Sequence, residues 1–246
     1  MVTPVLKRIA AQMPPAMQHE LRRMFFHAQI RGHRFTTDEK EYGLLDTLIA
    51  RGDWVLDIGA NVGHYTMRMA ELVGPEGRVI AIEPVPDTFS LLAANVRLFA
   101  HRNVTLLNIA ASDRTAIVGM TIPDFPEGLA NYYQARVVSD AAALATLTMP
   151  VDAFQLPHRV ALAKIDVEGH ESAVLRGMRG LIARDRPALI LETSSRDVLH
   201  CLDDMGYSVQ RLPGSSNVVC THRGGVVIPE RIDENTQGIA SGGAHD

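Results

Sequence analysis

The segment Asp57-Ile58-Gly59-Ala60-Asn61-Val62-Gly63 restricts the folds open to this 246-residue chain more than any other stretch. Trp54-Val55-Leu56 precedes it as a short apolar strand, and His64-Tyr65-Thr66-Met67-Arg68-Met69-Ala70 follows with helical character. A strand, a glycine-punctuated turn and an immediate helix bring backbone N–H groups and a positive helix end against a ligand. Asp57, at the strand end, would repel a pyrophosphate and welcome an ammonium. The turn holds Gly59 and Gly63 only, where a dinucleotide loop of the form G-x-G-x-x-G needs three glycines. The loop reads as a nucleoside site for a ligand without phosphates.

Around it the chain alternates strand and helix, the pattern of an α/β fold. Strands are expected at Trp54 to Ile58, Arg78 to Ile82, Val104 to Ile109, Val160 to Val167 and Ala188 to Glu192. Helices are expected at Val62 to Leu72, Asp87 to Ala100 (with Asp87 as N-cap), Glu171 to Ala183 and Arg196 to Met205. Tyr207 to Leu212 and Val218 to Cys220 read as a closing β-hairpin. Upstream, Met17 to Ile30 forms a helix after Pro14-Pro15, with Leu21, Met24, Phe25 and Ala28 as its apolar face and several arginines opposite. Another helix starts near Thr37, and its acids Asp38 and Glu39 suit the helix dipole. The division expected is a helical extension over 1–50, one catalytic domain over 51–225 and a polar, flexible tail over 226–246. A β-rich insertion at about 115–151 interrupts the domain and carries Ala116 to Ile122 and Arg136 to Val138 as short strands.

In an open α/β sheet a ligand sits beyond the carboxyl ends of the strands. Those ends are polar here, while the strand bodies are almost wholly apolar. Strand one ends in Asp57 and strand two in Glu83-Pro84, a carboxylate placed to accept both hydroxyls of a ribose. Strand three leads to Ala110-Ala111-Ser112-Asp113, small enough to meet a flat base, although Asp113 serves equally well as a turn residue. Strand four ends in Asp166-Val167-Glu168-Gly169-His170, and the next in Glu192. Asp166 and Glu168 project to one side of an extended segment, and Lys164 could offset one charge. This cluster could act as a general base or, with Glu192, as an oxygen-rich Mg²⁺ site. The bland reading of the same acids is helix N-terminal residues favoured by the macrodipole. His170 doubles as a plain helix-start residue, and His101, His158 and His200 read as surface or helix-end residues and not as metal ligands.

Composition narrows the partners. A net charge of −4 and the lack of a Lys/Arg run give no reason to expect nucleic acid. Cys201 and Cys220 stand in no metal or redox spacing and suit a reducing compartment. No apolar run reaches the roughly 18 residues of a membrane span, so a cytoplasmic protein is expected.

Three segments together resemble the FkbM family of class I, S-adenosylmethionine-dependent methyltransferases. They are Asp57 to Gly63, Glu83-Pro84, and Lys164-Ile165-Asp166-Val167-Glu168-Gly169 with Glu171, and the resemblance spans roughly 52–193. It implies a Rossmann-like sheet of seven strands in the order 3-2-1-4-5-7-6, helices on both faces and the last strand antiparallel. It also implies S-adenosylmethionine as cofactor, held by Asp57, Gly59, Asn61, Gly63, Glu83, Ala111, Asp113 and Asp166. The Gly59 loop would meet its methionine part, Glu83 its ribose and the Ala111 region its adenine. Family activity is O-methylation of polyketides, sugars and glycan components, with Asp166, Glu168 and His170 as the candidate base here. Many members carry Thr-Leu-Asp before strand four, where this chain has Pro150-Val151-Asp152-Ala153. The acceptor side is expected from the N-terminal helices and the insertion, with Phe125, Tyr132, Tyr133 and Arg136 as candidates. The rival readings are a nicotinamide-dependent oxidoreductase or epimerase, which the loop disfavours, and a non-catalytic cofactor-binding subunit.

Overall fold

The seven main strands segregate their side chains by the period of two that a pleated strand imposes. Val55, Val79, Leu162 and Ile190 face one hydrophobic cluster, while their neighbours Leu56, Ile80, Ala163, Leu189 and Leu191 face the other. Helices cover both clusters, so both faces of the sheet are dry and the strands are apolar nearly throughout. The computed structural model describes residues 12–123, 135–138 and 144–224. Phe125, Tyr132, Tyr133 and the expected tail lie outside the described residues.

The sheet consists of β1 (Trp54–Ile58), β2 (Arg78–Ile82), β3 (Val104–Leu107), β8 (Val160–Ile165), β9 (Ala188–Glu192), β10 (Tyr207–Arg211) and β11 (Asn217–His222). Their order is β10-β11-β9-β8-β1-β2-β3, which in chain order among these seven is 3-2-1-4-5-7-6. β1, β2, β3, β8 and β9 are parallel, and β11 runs antiparallel to β9 and to β10. The order reverses at β1, which has β2 on one side and β8 on the other, and the polar strand ends gather above that point. A second sheet, β4-β7-β5-β6, comes from β4 (Ala110–Ala111) and the insertion strands β5 (Ala116–Thr121), β6 (Arg136–Val138) and β7 (Leu144–Met149).

Several elements differ from expectation for identifiable reasons. The helix Pro15–Arg31 buries Phe26 and Ile30, while Met24 is 60% exposed and Leu21 43%. Apolar residues lie on both sides of this helix, and contact with the helix Pro86–Val96 selects the Phe26 side. The helix expected from Thr37 is a 3₁₀ turn over Lys40–Leu44 and a single α-turn over Leu45–Leu48. There Glu41 is fully buried, accepting from Ser215 Oγ at 2.9 Å and from Asn217 Nδ2, and Lys40 donates to the Pro213 carbonyl. These bonds tie the segment to the C-terminal hairpin. Pro86 takes the first helical position after Val85, so Asp87 stands in the first turn and is not the N-cap.

The helix expected over 171–183 is two helices, Glu171–Gly177 and Arg179–Asp185. A Cβ on Gly177 would stand 1.8 Å from the Ser112 carbonyl oxygen, so this helix presses on the chain just after β4. The second helix is capped from a distance: Asp152 accepts from Gly180 N at 2.8 Å and Leu181 N at 2.7 Å. The acid kept in the altered Pro150–Ala153 stretch thus serves a helix end, outside the lining of both cavities described below. Asp152→Ala should cost about 1–2 kcal/mol in urea denaturation, by loss of a cap, and leave ligand affinity unchanged.

Candidate active site

The loop after β1 uses its N–H groups within the protein. Gly59 N and Ala60 N both donate to the Ile82 carbonyl, at 2.9 and 3.0 Å, and Gly63 N donates to Ala60 O at 2.9 Å. Asn61 N donates to Glu83 Oε2 at 2.9 Å. The expectation that these groups point at a ligand is therefore corrected for four of them: Gly59, Ala60 and Asn61 tie the loop to the end of β2, and Gly63 closes a turn within the loop. The glycines answer close approaches. A Cβ on Gly59, where φ is +82°, would stand 1.8 Å from the Asp166 carbonyl oxygen. On Gly63, at φ +99°, it would stand 2.7 Å from Leu92 Cδ1, on the side of the helix Pro86–Val96.

The strand ends enclose a cleft of about 230 Å³. Of the expected residues, Gly59, Asn61, Glu83, Ala111, Asp166, Glu168 and His170 line it, as does Glu192. Asp57, Gly63 and Asp113 are not among the lining residues. Asp57 is fully buried beneath the loop and accepts from Thr66 Oγ1 at 2.5 Å, while its Oδ1 has no hydrogen-bond partner among the described residues. Burial raises its pKa against the pull of Lys164. The sheet register pairs the two directly, Asp57 with Lys164. Asp113 accepts from Arg176 at 2.8 and 3.1 Å, which holds its carboxyl below the usual range.

Glu83 is 5% exposed. Its Oε1 accepts from Val85 N and its Oε2 from Asn61 N, both at 2.9 Å. Burial outweighs these bonds and pushes its pKa up to about 7. Asn108 Nδ2 donates to the Glu83 carbonyl at 2.8 Å, which secures the backbone as well. The carboxylate is thus fixed at the tip of β2, with lone pairs left for two further donors.

At the other end, carboxylate oxygens of Asp166, Glu168 and Glu192 lie within 4.8 Å of one another. Strand alternation does not explain this, because β8 ends at Ile165, and Glu168 and Gly169 turn with φ of +51° and +95°. Asp166 is paired with buried Lys164, Nζ to Oδ2, at 2.8 Å. Burial opposes the lysine's charge, but Asp166 and Asp57 outweigh it and raise its pKa. Burial and then the like charges of Asp166 and Glu192 raise that of Glu168, whose Oε2 is 4.0 Å from Arg136. His170 Nε2 is 2.9 Å from Ser112 Oγ, and burial lowers its pKa.

Five wall residues are not singled out by the sequence: Glu39, Val85, Met120, Ala135 and Val137. Glu39 reads there only as a helix-dipole acid, Val85 follows the Glu83-Pro84 pair, and the other three come from the insertion, whose pairing the sequence hides. No residue of the helix Pro15–Arg31 lines the cleft. A more open cavity of about 330 Å³ adjoins it, sharing Glu168 and Glu192 and adding Arg136, Ser172, Thr193 and Ser194.

The chemistry of the lining fits a cationic nucleoside. Five carboxylates (Glu39, Glu83, Asp166, Glu168 and Glu192) face the cleft, with no lysine or arginine among its described lining residues. Such a site attracts an ammonium and a sulfonium and repels a pyrophosphate.

This sheet order, with an acid-lined cleft at its reversal point, is the class I methyltransferase fold. The family model "Methyltransferase FkbM domain" matches residues 57–209. The chain belongs to the FkbM methyltransferase family, whose cofactor is S-adenosylmethionine. The crystal structure of an FkbM methyltransferase from Methylobacillus flagellatus superposes with a TM-score of 0.53 at 17% identity, covering 88% of this chain and 58% of that one. A protein-L-isoaspartate O-methyltransferase of Ignicoccus hospitalis is 41% identical over 59 residues, 24% of this chain and 28% of that protein. "Methyltransferase 1" of Beauveria bassiana is 28% identical over 145 residues, 51% and 58% respectively. The chain spans less than two thirds of the length of these relatives. Among the described residues no helix is long and apolar enough to cross a membrane.

Proposed function

We propose that the protein transfers the methyl group of S-adenosylmethionine to a hydroxyl oxygen of a small molecule, sugar or glycan unit, or polyketide-type acceptor. The carboxylate-only charge of the cleft carries this reading, because it favours a sulfonium cofactor over a nicotinamide dinucleotide. Glu83 takes the ribose hydroxyls, and Ala110 and Ala111 give the base a flat wall. Bound S-adenosylmethionine supplies a methyl carbon already activated on sulfur, so the chain has two tasks: alignment and removal of one proton.

Glu168 is the first candidate for that proton. Its raised pKa makes it the stronger base, whereas Asp166 is engaged by Lys164. His170 ranks second, with its Nε2 committed to Ser112. Glu168 would take the hydroxyl proton as the acceptor oxygen attacks the methyl carbon that bound S-adenosylmethionine would supply. The acceptor approaches from the side where the two cavities share Glu168 and Glu192, beside Arg136 of the insertion. The three carboxylates also form an oxygen donor set of the kind Mg²⁺ takes.

Glu168→Gln should keep the affinity for S-adenosylhomocysteine within about twofold by calorimetry. Transfer of labelled methyl into a pool of hydroxylated metabolites should fall roughly 10²- to 10⁴-fold. Unchanged transfer removes Glu168 from the mechanism.

A further inference from the structure

The strand ends present their groups in the order of the sheet: Ala110 and Ala111 beyond β3, Glu83 just after β2, then Gly59 and Asp166 just after β1 and β8. A nucleoside with its base at Ala111 and its ribose at Glu83 therefore extends its remaining arm over β1 and β8. For S-adenosylmethionine that arm is an amino acid, with an ammonium to be neutralised.

Most acids near this arm are already engaged. Glu83 holds two backbone N–H groups at the ribose position. Asp166 is paired with Lys164, and Asp57 is buried beneath the loop without lining the cleft. Glu168, 4.0 Å from Arg136, and Glu192 are shared with the second cavity, on the side proposed for the acceptor. Glu39 is left. It lines the cleft from the segment before β1, and its Oε2 accepts from Tyr65 Oη at 2.7 Å. Tyr65 is itself buried in the helix that follows the loop, with Lys164 4.6 Å above its ring. One carboxylate oxygen is thereby pinned by a rigid element, while no hydrogen bond from the described residues reaches Oε1.

We propose that Glu39 binds the α-ammonium of the cofactor, so that the segment before β1 completes the cofactor site and Tyr65 orients the carboxylate. The assignment rests on the S-adenosylmethionine reading and adds to it a residue outside the matched family region, 57–209. It gives the segment a functional reason to be tied down at Glu41 and Lys40.

Two ligands separate this contact from the rest of the site: S-adenosylhomocysteine, which carries the amino-acid arm, and 5′-methylthioadenosine, which lacks it. A charge-assisted hydrogen bond of about 1.5–3 kcal/mol corresponds to roughly a ten- to hundredfold change in affinity. By calorimetry, Glu39→Gln should weaken S-adenosylhomocysteine by that factor and leave 5′-methylthioadenosine unchanged. Tyr65→Phe should show the same selectivity with a smaller loss. Equal losses for both ligands would mean a merely structural role, and an unchanged affinity for S-adenosylhomocysteine would place the ammonium elsewhere; either overturns the assignment. Failure of the wild-type protein to bind either ligand would instead refute the cofactor reading, and the assignment with it.

Discussion

Gly59→Ala should unfold the protein or destabilise it by about 4 kcal/mol or more, the range reserved for severe lesions. The added Cβ would stand 1.8 Å from the Asp166 carbonyl oxygen, a backbone atom that no side-chain rotation can move. That carbonyl is itself fixed, because Asp166 N donates to Ile58 O at 2.9 Å across the β1–β8 seam. A φ of +82° adds strain for any residue with a Cβ. Gly169→Ala is the natural control: its φ is also positive, +95°, but nothing lies within 4 Å of the new atom. It should cost only about 1 kcal/mol. Urea denaturation of the two variants separates steric approach from backbone conformation. Equal, small losses would contradict the account of the seam.

Glu83→Ala should lower the affinity for S-adenosylhomocysteine by at least about a hundredfold, since the two charge-assisted bonds proposed to the ribose hydroxyls would be lost together. Asn61 N and Val85 N also lose their acceptor, so the loop that shapes the cleft loosens. A pH signature accompanies this. Burial raises the Glu83 pKa from 4.5 to about 7. Between those values the folded chain keeps a proton that the unfolded chain has released, so each rise in pH favours unfolding of the free protein. The unliganded Tm should accordingly fall from pH 5 to pH 7, and Glu83→Gln should flatten that slope. Above pH 7 the carboxylate is the stable form, and the Tm gain from S-adenosylhomocysteine should be larger there than at pH 6.

The main strands were legible because dry strands between two helical layers read as apolar runs, and their polar ends stand out against them. Glu83, Asp166 and Glu168 followed from that contrast alone. What escaped was set by tertiary partners. β7 inverts the usual pattern: Thr146 and Thr148 are buried while Leu147 is exposed, and Thr148 Oγ1 donates to Arg114 O at 2.8 Å. A strand that buries threonines carries no hydrophobic alternation to find. Glu39 was hidden differently, since an acid before a helix has a sufficient local explanation in the dipole. Only the fold brings Tyr65, 26 residues on, against it. The loop glycines stand out in the sequence, but their close contacts are within the protein: they admit neighbouring backbone and side chains, and Ala60 N and Asn61 N between them bond inward.

The central claim is a cleft built for a sulfonium nucleoside, and calorimetric titration of the wild-type protein with S-adenosylmethionine, S-adenosylhomocysteine and NADH tests it most directly. The account predicts one saturable site for each of the first two, in mutual competition, and no heat of binding from NADH. Binding of NADH in competition with S-adenosylhomocysteine, or no binding of either sulfur nucleoside, would contradict it.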